Sequence, residues 1–189
     1  MFRKYSMLVA ALLGAAVMSV ATPAMAQPAD PQVAGQPQPA SQAGTVAHDA
    51  FGPVYAPVAA VDARQAQVVY YRPASPGQAA GGANVYLDGQ LHTALLSAGY
   101  SIFCVAAGEH SLGAFVNDAP RYQGRSAHHE VTLEGGQTYF LRVREDGNGT
   151  PLPVARAQAE RELAGARAQL HALSRAGSIQ ACRYVQAAS

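Results

Sequence analysis

Two neighbouring stretches decide the fold of this chain: Asn84-Val-Tyr-Leu-Asp-Gly-Gln-Leu-His92 and Tyr100-Ser-Ile-Phe-Cys-Val-Ala106. In the first, Val85 and Leu87 lie on one face of a strand, and Asp88-Gly89 follows as a pair that tolerates the positive φ angles of a tight hairpin turn. The second stretch is apolar on both faces, which is typical of a central strand. Together they predict a β-sheet built on a hairpin and a buried strand.

Further strand patterns lie on both sides of these stretches, each bounded by turn residues. They are Gln67–Arg72, Gln90–Thr93, His110–Val116, His129–Leu133 and Gln137–Arg144. In the last segment, three apolar residues beginning at Tyr139 alternate with Phe140, Arg142 and Arg144, which predicts one buried face and one face that ends in charge. Strands spaced this evenly predict a mainly β fold, a small antiparallel β-sandwich over residues 66–150.

The hydrophobic period changes after Pro153. From Val154 to Ala176, small and apolar residues recur at steps of four and three, which predicts one C-terminal amphipathic helix ended by Gly177. The stripe consists of Ala159, Leu163, Ala166, Leu170 and Leu173. Such a helix either packs on the sheet or serves as a partner or coiled-coil helix, for which fewer than three heptads is short. Residues 151–189 then finish with a strand-like tail packed on the domain, Ile179–Val185.

The N-terminal residues have the pattern of a secretory signal peptide. Arg3 and Lys4 precede an apolar core from Met7 to Val20, and Ala24-Met-Ala26 is a small-x-small cleavage site. We expect residues 1–26 to be removed and the mature chain, without a transmembrane span, to lie in the periplasm or in association with the outer membrane. An uncut membrane anchor is the alternative, but the apolar run is short for a span of about 20 residues.

Residues 27–65 are rich in Pro, Ala, Gln and Gly and show almost no apolar periodicity. Such a composition buries too little surface to offset the entropy of ordering, which predicts a flexible linker. Tyr55, Val58 and Val61 are exceptions within it, and we expect them to dock on the edge of the domain.

The charge of the chain argues against some partners. The formal net charge is +1, so there is no electrostatic reason to expect nucleic acid or an anionic membrane. Removal of residues 1–26 takes away two basic residues and no acidic one, which leaves 11 basic against 12 acidic side chains. All of these basic residues are arginines, which favour bidentate contacts with carboxylates and phosphates.

Two cysteines, Cys104 and Cys182, predict one disulfide, because an exported chain with an even number of cysteines has no thiol left over. A redox or metal-binding thiol pair is the alternative. It has no support, since the sequence contains no Cys-x-x-Cys and no histidine within four residues of either cysteine.

Histidines raise the question of a metal site, and His128-His129-Glu130 is their densest cluster. Adjacent side chains of an extended chain face opposite sides, so His128 and His129 are poorly placed to bind one ion. His129 with the distant His110 or His92 remains, and nothing in the spacing requires it. No motif of a serine hydrolase, phosphate-binding loop, zinc protease or dinucleotide site occurs. We therefore expect no catalytic residue, cofactor or metal.

A partner surface is predicted around the loop Asn117–Gly124, because exposed loops frequently carry binding residues. Arginine and tyrosine there are suited to recognising anions or protein partners. The predicted surface consists of Pro120, Arg121, Tyr122, Arg125, Arg142 and Arg144. The alternative is that these are solvated loop and strand residues without a ligand.

Three motifs carry a family resemblance: Val85-Tyr-Leu-Asp-Gly89, Ala107-Gly-Glu-His-Ser-Leu112 and Gly136-Gln-Thr-Tyr-Phe-Leu-Arg-Val143. Over Val68 to Val143 the chain resembles the bacterial envelope family called domain of unknown function 2846, which is similar to short β-sandwich modules of the PEGA kind. The resemblance implies no catalytic residue. Many members of that family are lipoproteins, and this chain lacks the cysteine required for the lipid.

The C-terminal part, Ala157–Tyr184, resembles the region that precedes the peptidoglycan-binding domain in some OmpA-family proteins. The resemblance does not include the peptidoglycan-binding domain itself, so peptidoglycan binding is not carried over.

These patterns predict a non-enzymatic exported protein of the cell envelope that acts as an interaction or structural module with envelope proteins. A metal-dependent periplasmic hydrolase and a small-ligand carrier are the alternatives. The carrier would need an apolar cavity.

Overall fold

The computed structural model describes residues 50–78, 81–126, 129–170 and 174–186. The predicted signal peptide, most of the predicted linker, His128 and Leu173 lie outside the described residues. Within these ranges the chain is mainly β, with one short helix. The elements are β1 (Phe51–Val54), β2 (Gln65–Arg72), β3 (Ala83–Leu87), β4 (Gln90–Leu95), β5 (Gly99–Ala106), β6 (Gly108–Val116), β7 (Glu130–Leu133), β8 (Thr138–Arg142), β9 (Leu152–Pro153), α1 (Arg156–Glu162) and β10 (Arg167–Gln169).

Two sheets form the predicted sandwich. The large sheet has six strands in the order β1-β10-β5-β2-β8-β9, and the small sheet has four in the order β4-β3-β6-β7. Most pairs are antiparallel, but β10 runs parallel to β5 and β2 runs parallel to β8. The mainly β sandwich is therefore confirmed, with two sheets rich in antiparallel pairs and two parallel pairs in the large sheet. Both parallel pairs join strands that are remote in sequence, and local turn signals do not report such pairs.

The two strands that open the small sheet form the predicted hairpin. Asp88 (φ 50°) and Gly89 (φ 75°) occupy its turn in the left-handed region, where Asp and Gly are tolerated best. β4 carries one extra residue, because Val85 pairs with Thr93 while Tyr86 pairs with Leu91. That bulge residue is His92, and the bulge turns it into the interior.

Burial on both faces confirms β5 as a central strand, and β2 beside it is central as well. The inner faces of the two sheets form the main core, and every residue of β2 is buried. The opposite face of the large sheet is covered as well: Phe140, 3% exposed, packs in a second cluster with Ala159 and Leu163. The face of β8 that carries Phe140 and Arg142 is therefore partly apolar and buried, because α1 covers Phe140.

The helix is much shorter than the sequence predicts. α1 spans Arg156–Glu162, Gly165 follows with φ 81°, and Arg167–Gln169 is a strand. Within the stripe, Ala159 and Leu163 are buried under the sheet while Leu170 is 55% exposed. Free strand edges on β5 and β1 accept β10, and this pairing overrides the helical periodicity.

The last part of the predicted linker belongs to the fold. β1 pairs with β10, Tyr55 and Val58 pack against the second cluster, and Val61 is 2% exposed. The docking of these apolar residues is thus confirmed, and the sandwich begins at Phe51 rather than at residue 66. The average composition of residues 27–65 does not reveal these docked residues, because the apolar residues that they contact lie far away in the sequence.

The predicted disulfide joins Cys104 and Cys182 with an S–S distance of 2.05 Å. Beside it, the Gln180 N–H donates to the Cys104 carbonyl at 2.8 Å, and Tyr184 forms a bridge with Val61. The C-terminal tail therefore lies against the central strand β5. No helix among the described residues is long and apolar enough to cross a membrane.

Candidate functional site

The predicted partner surface divides into two parts in the structure. Its loop part covers the outer face of the small sheet, because the Arg121 N–H donates to the Tyr86 hydroxyl at 2.8 Å and the Arg125 N–H to the Gly89 carbonyl at 2.7 Å. The Arg125 guanidinium lies 3.5 Å from the centre of the Phe115 ring. Packing of the loop on its own sheet occupies most of this part.

Charge at the loop is largely balanced. Asp118 forms ion pairs with Arg125 and, at 3.8 Å, with Arg121. Tyr122 remains half exposed, with the Arg175 guanidinium 5.7 Å from its ring centre. Pro120 is exposed beside them. The loop thus offers Tyr122 and the outer part of Arg121 to a partner, rather than an array of unpaired cations.

The other two predicted arginines lie beyond the loop, at the end of β8. Arg142 pairs with Glu162 of α1 at 3.0 Å, and Arg144 pairs with Asp146 at 2.7 Å. They line a surface depression with Pro73 and Glu145, which shares no residue with the depression lined by Arg125. The structure does not bring the six predicted residues into one site.

Histidines are dispersed over distinct environments. His110 Nδ1 lies 3.0 Å from Asp88 and its Nε2 lies 3.0 Å from the Ala106 carbonyl, while His129 lies 3.4 Å from the Thr150 hydroxyl. No group of three or more His, Cys, Asp or Glu residues suited to a metal ion occurs in the described ranges.

Asp88, which contacts His110, has the environment of a structural carboxylate. It accepts hydrogen bonds from the Ser178 hydroxyl at 2.5 Å and the Ser111 N–H at 3.0 Å. Burial raises the pKa of Asp88, but these hydrogen bonds and His110 outweigh burial and hold the pKa below its usual value of 3.8. The serine contacts the carboxylate rather than the imidazole, so the arrangement is not that of a Ser-His-Asp nucleophile.

An apolar cleft opens between the sheets where β7 and β8 diverge, and we call it the β7–β8 cleft. Its volume is about 410 Å³. β7 ends the small sheet and β8 lies near the end of the large one, so the two strands are consecutive in sequence but belong to different sheets. The cleft is lined by Leu112, Val131, Thr132, Leu133, Thr138, Tyr139, Phe140, Leu141, Pro153, Val154, Ala155 and Arg156.

Charged groups mark the two sides of this cleft differently. On the α1 side, Arg156 is paired with Glu160 at 3.1 Å and lies 5.0 Å from the Phe140 ring centre. On the other side, the outer face of β7 adjoins a depression of about 270 Å³ that Glu109 and Glu130 line. Neither glutamate forms an ion pair with another described residue. An occupant of the cleft would therefore meet apolar walls, and one that extended past the edge of β7 would also meet these two glutamates.

Sequence reasoning missed this cleft. The alternation of Val131 and Leu133 with polar neighbours marks the inward face of β7, and Tyr139 and Leu141 mark that of β8. The gap between them depends on how far the two sheets diverge, which no local pattern specifies.

In comparisons with known proteins, no family model, curated protein or solved structure matches this chain. The resemblance to the domain of unknown function 2846 family stays a prediction that rests on the three quoted motifs.

Proposed function

We propose that this chain is a non-enzymatic, exported binding module of the bacterial envelope that holds a protein partner in the β7–β8 cleft. The observation that carries the proposal is the cleft itself: about 410 Å³ between apolar strands, open at the surface. Binding sites are concave and mostly apolar, with a few polar groups at the rim.

Export is supported by two independent features. The first is the signal pattern over residues 1–26. The second is the Cys104–Cys182 disulfide, since disulfides form and persist in oxidising compartments such as the periplasm. The absence of a catalytic motif from the sequence and the bonding of Asp88 and His110 favour binding over catalysis.

A small-ligand carrier is the second candidate, because the same observation favours it. Small-molecule sites have volumes of roughly 300–1,000 Å³, and the β7–β8 cleft falls within that range.

Filling the cleft separates these functions. Ala155 lines the cleft mouth and Ala157 lies two residues on, in α1, outside the cleft; both are exposed. We expect Ala155→Phe to reduce capture of a crosslinked envelope protein from the periplasmic fraction by about tenfold, whereas Ala157→Phe leaves it unchanged. The measurement is quantitative mass spectrometry of proteins crosslinked to the tagged full chain, with crosslinks mapped to residues 131–133 or 153–155.

Equal capture by the two variants would contradict binding in the cleft, and recovery of an unprocessed chain from the cytoplasm would contradict export. A different result would favour the carrier: no captured protein, together with binding of the apolar dye N-phenyl-1-naphthylamine that Ala155→Phe abolishes.

A further inference from the structure

Strand β7 has a free edge that faces the β7–β8 cleft. Among the described residues it pairs with β6 alone, with Val131 opposite His110 and Glu130 opposite Ser111. The Leu112 N–H donates to the His129 carbonyl at 3.0 Å, whereas the Ser111 carbonyl accepts from Asp88 of the β3 side. Antiparallel pairs alternate, so the backbone N–H and C=O groups of Glu130 and Thr132 point away from β6.

The side chains of β7 divide cleanly between its two faces. Val131 packs against the main core and Leu133 is 2% exposed within it. Glu130 and Thr132 are exposed on the outer face. A strand laid beside this edge, about 4.8 Å away, would place alternate side chains over Tyr139 and Val154 in the cleft.

The outer rim fixes the charge that such a strand should carry. Glu109 and Glu130 are exposed on neighbouring strands and are not ion-paired with described residues. The residues of an added strand that bond to the backbone of Glu130 and Thr132 would project their side chains to this same face. Basic side chains there complement the two glutamates.

Resting on the proposed function, we infer that the occupant of the β7–β8 cleft is an extended peptide segment of a partner protein, with apolar and basic residues in alternation. It adds to the edge of β7 as a further strand: its backbone bonds to Glu130 and Thr132, its apolar side chains enter the cleft, and its basic side chains face Glu109 and Glu130. A second copy of this chain is the less suitable occupant, because pairing β7 with itself brings Glu130 and Glu109 of both copies together.

The test uses a synthetic peptide with the sequence acetyl-Val-Arg-Val-Arg-Val-amide and the purified chain. Thr132→Pro removes an N–H that β6 does not use, so the sandwich keeps its own hydrogen bonds, while Thr132→Ala keeps that N–H and is the matched control. We expect Thr132→Pro to weaken peptide binding about tenfold relative to Thr132→Ala in calorimetric titration. Equal affinities of the two variants, at equal stability in urea, would overturn strand addition.

Charge is tested separately with Glu109→Gln/Glu130→Gln and a peptide in which glutamate replaces arginine. The double variant should bind the basic peptide several-fold more weakly and lose its dependence on salt, since the rim pairs are screened by ions. Equal binding of the acidic peptide would overturn the assigned charge. If sedimentation shows that the chain is a dimer and Thr132→Pro abolishes that dimer, the occupant is a second copy of the chain and the peptide inference is overturned.

Failure of this inference differs from failure of the proposed function. If capture of a partner is lost in Ala155→Phe but unchanged in Thr132→Pro, the cleft binds its partner without strand addition. If neither substitution affects capture, the cleft is not the binding site.

Discussion

At the residue scale, the most unusual environment belongs to His92. It is 6% exposed, its Nε2 lies 2.9 Å from the Ser101 hydroxyl, and its ring packs edge-on against Phe103. The buried Nδ1 has no hydrogen-bond partner among the described residues. Burial lowers the pKa of His92 from 6.5 to about 4, because the interior disfavours the charged ring.

This burial predicts acid sensitivity that begins above the range in which carboxylates titrate. Between pH 6.5 and about 4, the unfolded chain binds a proton at His92 and the native chain does not, so the free energy of unfolding falls as pH is lowered. The shift corresponds to at most about 3 kcal/mol. We expect His92→Gln to flatten this pH dependence in urea unfolding measured from pH 7 to 4. An unchanged slope would contradict the assignment, as would protonation of the His92 ring near pH 6.5 by NMR.

At the element scale, the loop between β2 and β3 is held by hydrogen bonds at the end of β2. Arg72, which is 1% exposed, forms two hydrogen bonds with Glu145, at 2.8 and 2.9 Å, and donates to the Gly81 carbonyl at 2.6 Å. Gln78 also donates to Glu145, at 2.8 Å. Hydrogen bonding to Arg72 is the main reason that the pKa of Glu145 lies below its ordinary value of 4.5.

Loss of the Arg72–Glu145 pair should destabilise the sandwich, because Glu145→Gln removes the negative charge that faces the buried Arg72 guanidinium. Since the Glu145 side chain is 37% exposed, solvent screens part of the pair, and we expect a loss of about 2 kcal/mol in the free energy of unfolding at pH 7. The exposed pair Arg144–Asp146 provides the control, and Asp146→Asn should cost clearly less because solvent screens that pair. Equal losses in the two variants would show that burial of Arg72 does not amplify the cost.

At the scale of the whole molecule, the two ends of the described domain meet. β1 pairs with β10, Val61 with Tyr184, and the disulfide joins Cys182 to the central strand β5. The tail also contacts the small sheet, where the Arg175 N–H donates to the Leu91 carbonyl of the edge strand β4 at 2.7 Å. Assembly of the sandwich therefore depends on contacts between the first and last described residues.

Reduction should destabilise the chain substantially, because the disulfide closes a loop across a sequence separation of 78 residues. Loop entropy predicts about 4 to 5 kcal/mol for such a closure. We expect dithiothreitol to lower the urea midpoint of the wild-type chain and to leave that of Cys182→Ser unchanged. A wild-type midpoint that does not respond to reductant would contradict this role.

Sequence patterns predicted those parts of the fold that depend on neighbouring residues. Asp88-Gly89 specified the hairpin, and the apolar residues on both faces of β5 specified a central strand. Long-range competition decided the rest: β10 formed where a helix was predicted because β5 and β1 offered free edges.

In the candidate sites, too, the sequence predicted local features but not those that depend on long-range contacts. The loop around Arg121 was recognised as a loop, but its packing on Tyr86 and Phe115 was not. The inward turn of His92 depends on a bulge, and the cleft depends on the divergence of two sheets. None of these three features has a local signal in the sequence.

The position of the disulfide also determines how the domain would respond to mechanical force. Tension applied beyond Cys182 passes through a covalent bond into β5, in the middle of the large sheet, so the tail cannot be peeled away from its C-terminal side. The 78-residue separation between the cysteines represents about 260 Å of extended chain. Tension cannot extend this segment until the bond is reduced, so the oxidised domain lengthens less under force than the reduced domain.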